Sequence, residues 1–422
     1  TDIVQFFIAM CGSIALAIIA LNHVGGMDTL LQKLSSLLGT DIIHENTLKF
    51  IPPIPDNSIG SLSFWESPFS KFLIFITVMW WSHHGTDGGG YIIQRMSSAK
   101  NEKHALLATL WFNLAHYAVR VWPWIIVGVV SIVMFPVIPE SYSELGTKAG
   151  YPLVMNMLLG PGMKGILIVS FLAAFMSTID THLNWGASYI INDIYKRFFK
   201  PNESERHYVI VSKVITVILM ILAAFTALKM QSISKAWAFI FSMGAGIGLV
   251  LILRWIWWRI NAWSEITALS TSILITILLE TLAWWQISAK EGSYSLFGTE
   301  PILFGVQIQV HHKLMIIVPI AILSWLIATF ITKPEPTEHL QKFYKKVQPG
   351  GWWGPITSNL THTLQPVSEG MLVQWIAGVM MIYGFTFGIG NFIFMQYSNS
   401  IILFGCAFIG AFIIWNRSIS KL

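Results

Sequence analysis

Apolar residues fill this chain in blocks of near-constant length, separated by short polar and basic stretches. A bilayer core takes roughly 20 apolar residues per helical crossing. Blocks of that length predict about ten helices, near 2–22, 69–93, 105–135, 164–195, 208–228, 236–258, 264–286, 313–332, 371–394 and 397–416. Two connections exceed ordinary loop length. Residues 23–67 contain an amphipathic stretch with Asp28 as its expected N-cap and Leu30, Leu31, Leu34, Leu37 and Leu38 along one side, which predicts a short helix lying on the surface. Residues 333–370, with Pro334, Pro336, Pro349 and three nearby glycines, read as a polar linker with Trp352 and Trp353 as interfacial anchors.

The basic residues give an orientation. With the start of the first helix cytoplasmic, the inside segments hold Arg95, Lys100 and Lys103; Lys196, Arg197, Lys200 and Arg206; Arg254 and Arg259; Lys333, Lys342, Lys345 and Lys346; and Arg417 and Lys421. The outside connections are long, mixed or acidic, as in 136–163 with Glu140 and Glu144, so every crossing obeys the positive-inside rule. Composition agrees. Of 422 residues, 54% are hydrophobic and 11% charged, far more apolar matter than one soluble core absorbs. The net charge of +5 is spread over these short clusters, as topology signals are, and no nucleic-acid-binding domain is apparent. Cys11 and Cys406 sit inside apolar runs and read as small packing residues. The chain opens on Thr1-Asp2 without an initiating Met, which leads us to expect a longer parent protein.

Polar side chains at membrane depth are costly and so mark the working parts. In 164–195, Ser170, Ala174, Ser177, Thr181, Asn184 and Ser188 recur at steps of four and three on one helical face, flanked by Thr178 and Asp180. Clustered hydroxyl, carbonyl and carboxylate oxygens suit a hard alkali cation, and the same small residues suit close helix packing. In 105–135, Thr109, Asn113, His116 and Arg120 repeat the spacing; Arg120 needs a carboxylate, a cavity or a solute anion, with Asp87 and Asp180 as internal partners and a structural ion pair as the alternative role. The segment from Trp80 to Gly90 places four glycines around Asp87, which predicts either a discontinuous helix beside a cavity or a plain helix end. His83-His84 is a weak metal signal, since adjacent helical residues diverge. Trp255, Trp257, Trp258 and Trp263 read as an interfacial belt. No nucleophile, base and oxyanion set argues for an enzyme.

The string Leu172-Ala173-Ala174-Phe175-Met176-Ser177-Thr178-Ile179-Asp180, continuing to Asn192-Asp193-Ile194-Tyr195-Lys196, resembles a signature helix of the sodium/solute symporter family. Tyr91-Ile92-Ile93-Gln94-Arg95 with Ala99-Lys100-Asn101 resembles the family's preceding cytoplasmic loop, and Thr1-Asp2-Ile3-Val4-Gln5 an earlier helix. The resemblance covers residues 1–260. It implies an all-α membrane fold in which 1–260 form a partial LeuT-type inverted-repeat core, from its fifth helix to its tenth, and 261–422 add C-terminal extra helices, the whole being one membrane domain.

By correspondence, a sodium ion would be held by the carbonyl of Ala174 and the hydroxyls of Ser177 and Thr178. A second sodium site, found in some members, would use Asp2, Asp180 and Thr181. Trp81, Ser82, His116, Arg120 and Trp237 would touch the solute. His116 stands where sugar-transporting members place a Lys, Trp237 where they place a polar pocket residue and Gly85 where they place an aromatic gate, which argues against a hexose. The implied function is sodium-coupled symport of a small organic solute by alternating access, in a multi-pass plasma membrane protein of bacterial inner-membrane type. The alternative is a transporter-derived sensor that binds solute without net transport.

Overall fold

The computed structural model describes residues 2–39, 51–56, 59–142, 145–230, 232–288, 300–303, 305–358 and 370–419. Its principal helices are α1 (Asp2–His23), α2 (Gly26–Leu37), α3 (Pro68–Ile74), α4 (Gly89–Ser97), α5 (Glu102–Asn113), α6 (Trp122–Met134), α7 (Gly150–Leu158), α8 (Pro161–Tyr189) and α9 (Glu205–Lys229). They continue as α10 (Ile233–Met243), α11 (Gly248–Ile256), α12 (Ala262–Ser288), α13 (Val310–Ile331), α14 (Thr337–Val347), α15 (Met371–Ile393) and α16 (Tyr397–Arg417). Among the described residues, eight continuous helical stretches are long and apolar enough to cross a membrane, and the α10–α11 pair makes a ninth if counted as one span. The chain is an all-α multi-pass membrane protein.

Two expected crossings are not single helices. The one near 69–93 runs from α3 through a π-helical turn at Phe75–Met79 and a last turn at Trp80–Ser82, stops at His83, and restarts as α4. The restart is made by Gly88 and Gly89 at φ +91° and +60°, a region open to glycine at no steric cost. The crossing near 236–258 is also broken: α10 and α11 meet at a bend of 42°.

The chain divides into two compact units, residues 1–48, 107–228 and 376–416 in the first and 49–106, 229–375 and 417–422 in the second. In the first, α1 packs on α6, α7 and α8 around Leu16, Ala20, Val127, Val130, Val154 and Leu167. Its α15 and α16 meet through small residues: a Cβ on Gly410 would reach the backbone at Ala377 and Met381, so the two helices approach to a distance only glycine allows. In the second unit α12 and α13 form the most extensive helix pair. Ile74, Ala245, Leu314, Ile317 and Val318 fill one core, and Val250, Ile260, Ala268 and Trp325 another.

Several expectations change. Asp28 lies in the first turn of α2, and the residue at the cap is Gly25 in a left-handed conformation, which turns the chain sharply out of α1. The surface helix does bury Leu30 and Leu34, four residues apart on one face. The segment 333–370 is not simply a polar linker, because α14 folds there and packs Leu340 and Tyr344 against Trp353 and Ile356. Trp353 is therefore a core residue, 3% exposed, whereas Trp352 at 65% retains the exposure of an anchor. Cys11 is exposed and Cys406 half-buried, so Cys11 is not a packing residue within this chain.

Candidate functional site

In the second unit the two interrupted helices touch at their breaks. A Cβ on Gly248 would meet the carbonyl oxygen of Trp81, and would lie 2.6 Å from the carbonyl carbon of Ser82 and 2.7 Å from the oxygen of His83. One on Gly244 would lie 2.6 Å from Nδ1 of His84. Backbone packs directly on backbone there, which explains why α10 ends and α11 begins among glycines. The expected discontinuous helix at 80–90 is present, and its loose polar groups have partners. The Thr86 hydroxyl donates to the Trp80 carbonyl at 2.8 Å, the Gly85 amide donates to Nδ1 of His83 at 2.9 Å, and the Gly89 amide donates to Oδ1 of Asp87 at 3.0 Å.

Of the residues assigned to solute contact, Trp81, Ser82 and Trp237 belong to this unit. The Trp81 indole N–H donates to the Thr77 carbonyl at 2.6 Å, anchoring the ring beside the π-turn. Ser82 is buried at the last helical turn before the break. Trp237 is half-exposed on α10 and stacks on Phe241 at 5.4 Å; Phe241 in turn meets the His83 ring edge-on at 5.9 Å. An aromatic ladder thus runs from α10 to the break.

The oxygen-bearing turn lies on α8, in the first unit. The Thr178 hydroxyl donates to the Ala174 carbonyl at 2.9 Å and the Thr181 hydroxyl to the Ser177 carbonyl at 2.9 Å. Two of the three oxygens assigned to sodium are therefore in contact with each other, through the back-bond that a helical Thr makes to the carbonyl four residues earlier. Within the expected stripe Ser170 is buried, Ser177 and Thr181 are half-buried, and Ala174, Asn184 and Ser188 are exposed. Thr178 is exposed as well, and Asp180 accepts from the Asn184 amide at 3.0 Å. Asp2 begins α1, and its side chain lies outside the described residues.

His116 sits in a π-helical segment, Leu114–Val119, that ends at Arg120 just before Pro123 opens α6. Wide turns of this kind are frequent at functional sites. The Arg120 guanidinium lies 5.5 Å from the Trp124 ring and 3.4 Å from Nε2 of His116, and its Nε is buried without a hydrogen-bond partner. Asp87, expected as its counter-ion, is bound instead by Arg254 at 2.7 Å, and among the described residues no ion pair joins Arg120 to Asp180. Within the first unit, Asp180 is therefore not the ion-pair partner of Arg120.

Sequence reasoning missed two charged assemblies, both in the second unit. Arg254, read from sequence as a topology signal beside the tryptophan belt, donates to Asp87 and to Glu265. Lys313 and Glu280 form an ion pair at 2.6 Å with side chains only 3% and 11% exposed. Glu280 lies within an apolar run and could have been flagged by the same cost argument that flagged Arg120.

Comparison with known proteins places this geometry. The osmoregulated proline transporter OpuE of Bacillus subtilis is 24% identical over 291 residues, covering 66% of this chain and 52% of the relative. Sodium/glucose cotransporter 1 of Oryctolagus cuniculus is 24% identical over 369 residues, 81% of this chain and 54% of the relative. The sodium/proline symporter of Escherichia coli is 24% identical over 222 residues, 51% of this chain and 43% of the relative. The chain spans about half the length of the curated relatives it matches. The model described as the sodium:solute symporter family matches residues 1–275, which contain the interrupted helices and the α8 turn, and the chain belongs to that family.

Proposed function

We propose that the chain forms part of a sodium-coupled symporter that carries a small organic solute by alternating access. The observation that carries this reading is the pair of interrupted helices meeting break to break, since irregular backbone at membrane depth is tolerated only where protein or a water-lined cavity satisfies it. Trp81, Ser82 and Trp237 are the solute contacts offered by that pair, and His116 and Arg120 are those offered by the first unit. Arg120 brings a half-buried guanidinium whose buried Nε–H is unused, a donor suited to a carboxylate or carbonyl oxygen.

Sodium is assigned to the Ala174 carbonyl and the hydroxyls of Ser177 and Thr178, with Asp2, Asp180 and Thr181 as the second site. Sodium held by the Ala174 carbonyl and the Thr178 hydroxyl would replace the hydrogen bond between them, and an ion that binds better in one conformation of this turn couples its binding to the state that accepts solute. The test is solute uptake by the full-length protein in proteoliposomes across a sodium titration. Thr178→Ala and Ser177→Ala are expected to raise the sodium concentration for half-activation about tenfold, the worth of one charge-assisted contact. Wild-type uptake that is indifferent to sodium would refute the reading.

A further inference from the structure

The interruption at 83–88 exposes the first amides of α4, and the Asp87 side chain makes two different bonds there. Its Oδ1 accepts the Gly89 amide at 3.0 Å, satisfying the first amide of α4 from outside the Gly88 cap. Its Oδ2 accepts Nη2 of Arg254 at 2.7 Å, and Nη1 of the same guanidinium donates to Oε1 of Glu265 at 3.0 Å. One fork thus ties together the start of α4, the last turn of α11 and the first turn of α12. The two arms differ in burial: the Asp87 side chain is 10% exposed and that of Glu265 35%.

Beside this fork lies a cavity of about 950 Å³, walled by Asp87, Met96, Lys100, Ile252, Trp255 and Gln348. Its walls come from three segments that the charge rule assigns to the same membrane face, those carrying Arg95 and Lys100, Arg254 and Arg259, and the α14 region. The chain after α14 is pinned along the rim. The Trp352 amide donates to the Ile256 carbonyl at 2.6 Å, the Trp353 indole donates to the Trp255 carbonyl at 3.2 Å, and Gln348 is held at φ +51°, an unusual conformation for a residue other than glycine.

We propose that Arg254 is the positioning residue that latches α4 against α11 and α12, and that parting of the Arg254–Asp87 bond widens this surface-open cavity toward the half-buried Ile252 during transport. The proposal rests on the alternating-access reading above. The fork makes the step two-state. When Asp87 lets go, Arg254 keeps Glu265, while the Asp87 carboxylate keeps the Gly89 amide and lies on the wall of the cavity, where water entering from the cytoplasm solvates it. A single carboxylate partner for Arg254 would lack that property.

The test uses the full-length protein without native cysteines, carrying Ile252→Cys as a half-buried reporter on the cavity wall. Its alkylation by a membrane-impermeant maleimide is timed from the cytoplasmic side in sodium-free inside-out vesicles. Asp87→Asn keeps an acceptor for Gly89 but loses the charge, and should speed labelling about tenfold, equivalent to one lost charge-assisted bond. Arg254→Gln should match it, and the double variant should be no faster than either, because both break one bond. Arg254→Lys, which keeps charge without the fork, should fall between; it decides the matter if Arg254→Gln does not fold. Glu265→Gln should not speed labelling. Wild-type rates in Asp87→Asn, additive rates in the double variant, or acceleration by Glu265→Gln would each overturn the latch. Labelling requires no transport, so uptake indifferent to sodium would sink the function without deciding the latch.

Discussion

The Lys313–Glu280 pair offers a clean test of how this fold handles charge inside the second unit. The two side chains are nearly fully buried and 2.6 Å apart, joining α12 to α13, the most extensive helix pairing in the unit. At that separation the attraction is about 6 kcal/mol with an effective dielectric near 20. Burial of the two ions costs several kcal/mol each, so the pair as a whole adds little net stability. Removing one partner is different: the remaining buried ion loses this contact, at a cost of about 3–5 kcal/mol. Lys313→Met and Glu280→Gln should each lower the folded-to-unfolded ratio at least a hundredfold, since each 1.4 kcal/mol is about a factor of ten. The double variant should recover most of that loss. The assay is the fraction of monodisperse protein surviving a heating series in detergent, read by fluorescence-detected size exclusion. A double variant no better than the worse single, or single variants that melt with the wild type, would refute the reasoning.

Three further outcomes follow from the packing. Gly248→Ala puts a methyl group against the carbonyls of Trp81 and His83, and backbone on both sides leaves no flexible neighbour to yield; a loss of about 1–3 kcal/mol and a fall in maximal uptake are expected, and unchanged thermal survival would count against the close approach. Arg120→Lys keeps a charge near Trp124 and His116 but gives up the planar donor set, so uptake of an anionic solute should fall with little change in protein yield, whereas equal losses of both would assign Arg120 to folding. Trp353→Ala removes a side chain that is 3% exposed and packs on Tyr344, at a cost of about 3–5 kcal/mol locally, and should make trypsin cut after Lys345 or Lys346 much faster; an unchanged cleavage half-time would show that α14 is held by other contacts.

How much of this was legible in the chain depends on whether the cause was local. Crossing helices are local: runs of about 20 apolar residues fix them, and nearly all lie where the pattern puts them. The break at 83–88 was legible because four glycines crowd one carboxylate. The break between α10 and α11 was not, since Gly244, Gly246 and Gly248 in an apolar run look like ordinary packing glycines until the backbone of Trp81 to His83 is seen against Gly248 and the His84 ring against Gly244. Partners were the least legible. Burial cost announces that Asp87 needs a cation but does not say which, and the bond it makes spans 167 positions, to Arg254, a residue masked by its tryptophan neighbours.

The α8 turn is where two readings of the same residues separate. Thr178 and Thr181 both donate to carbonyls one turn back in their own helix. Hydroxyls satisfied in this way pose no cost on an exposed face, so exposure of Ala174 and Thr178 argues neither for lipid contact nor for an ion. Close packing and ion binding differ in what the hydroxyl is for. If the small side chains serve packing, Thr178→Ser and Thr178→Ala behave alike, and any loss appears in heat survival at every sodium concentration. If the oxygen binds sodium, Thr178→Ser retains sodium activation while Thr178→Ala shifts it about tenfold, and sodium protects the wild-type protein against heat more than it protects Thr178→Ala. Equal sodium protection of wild type and Thr178→Ala would leave packing as the reason for these residues.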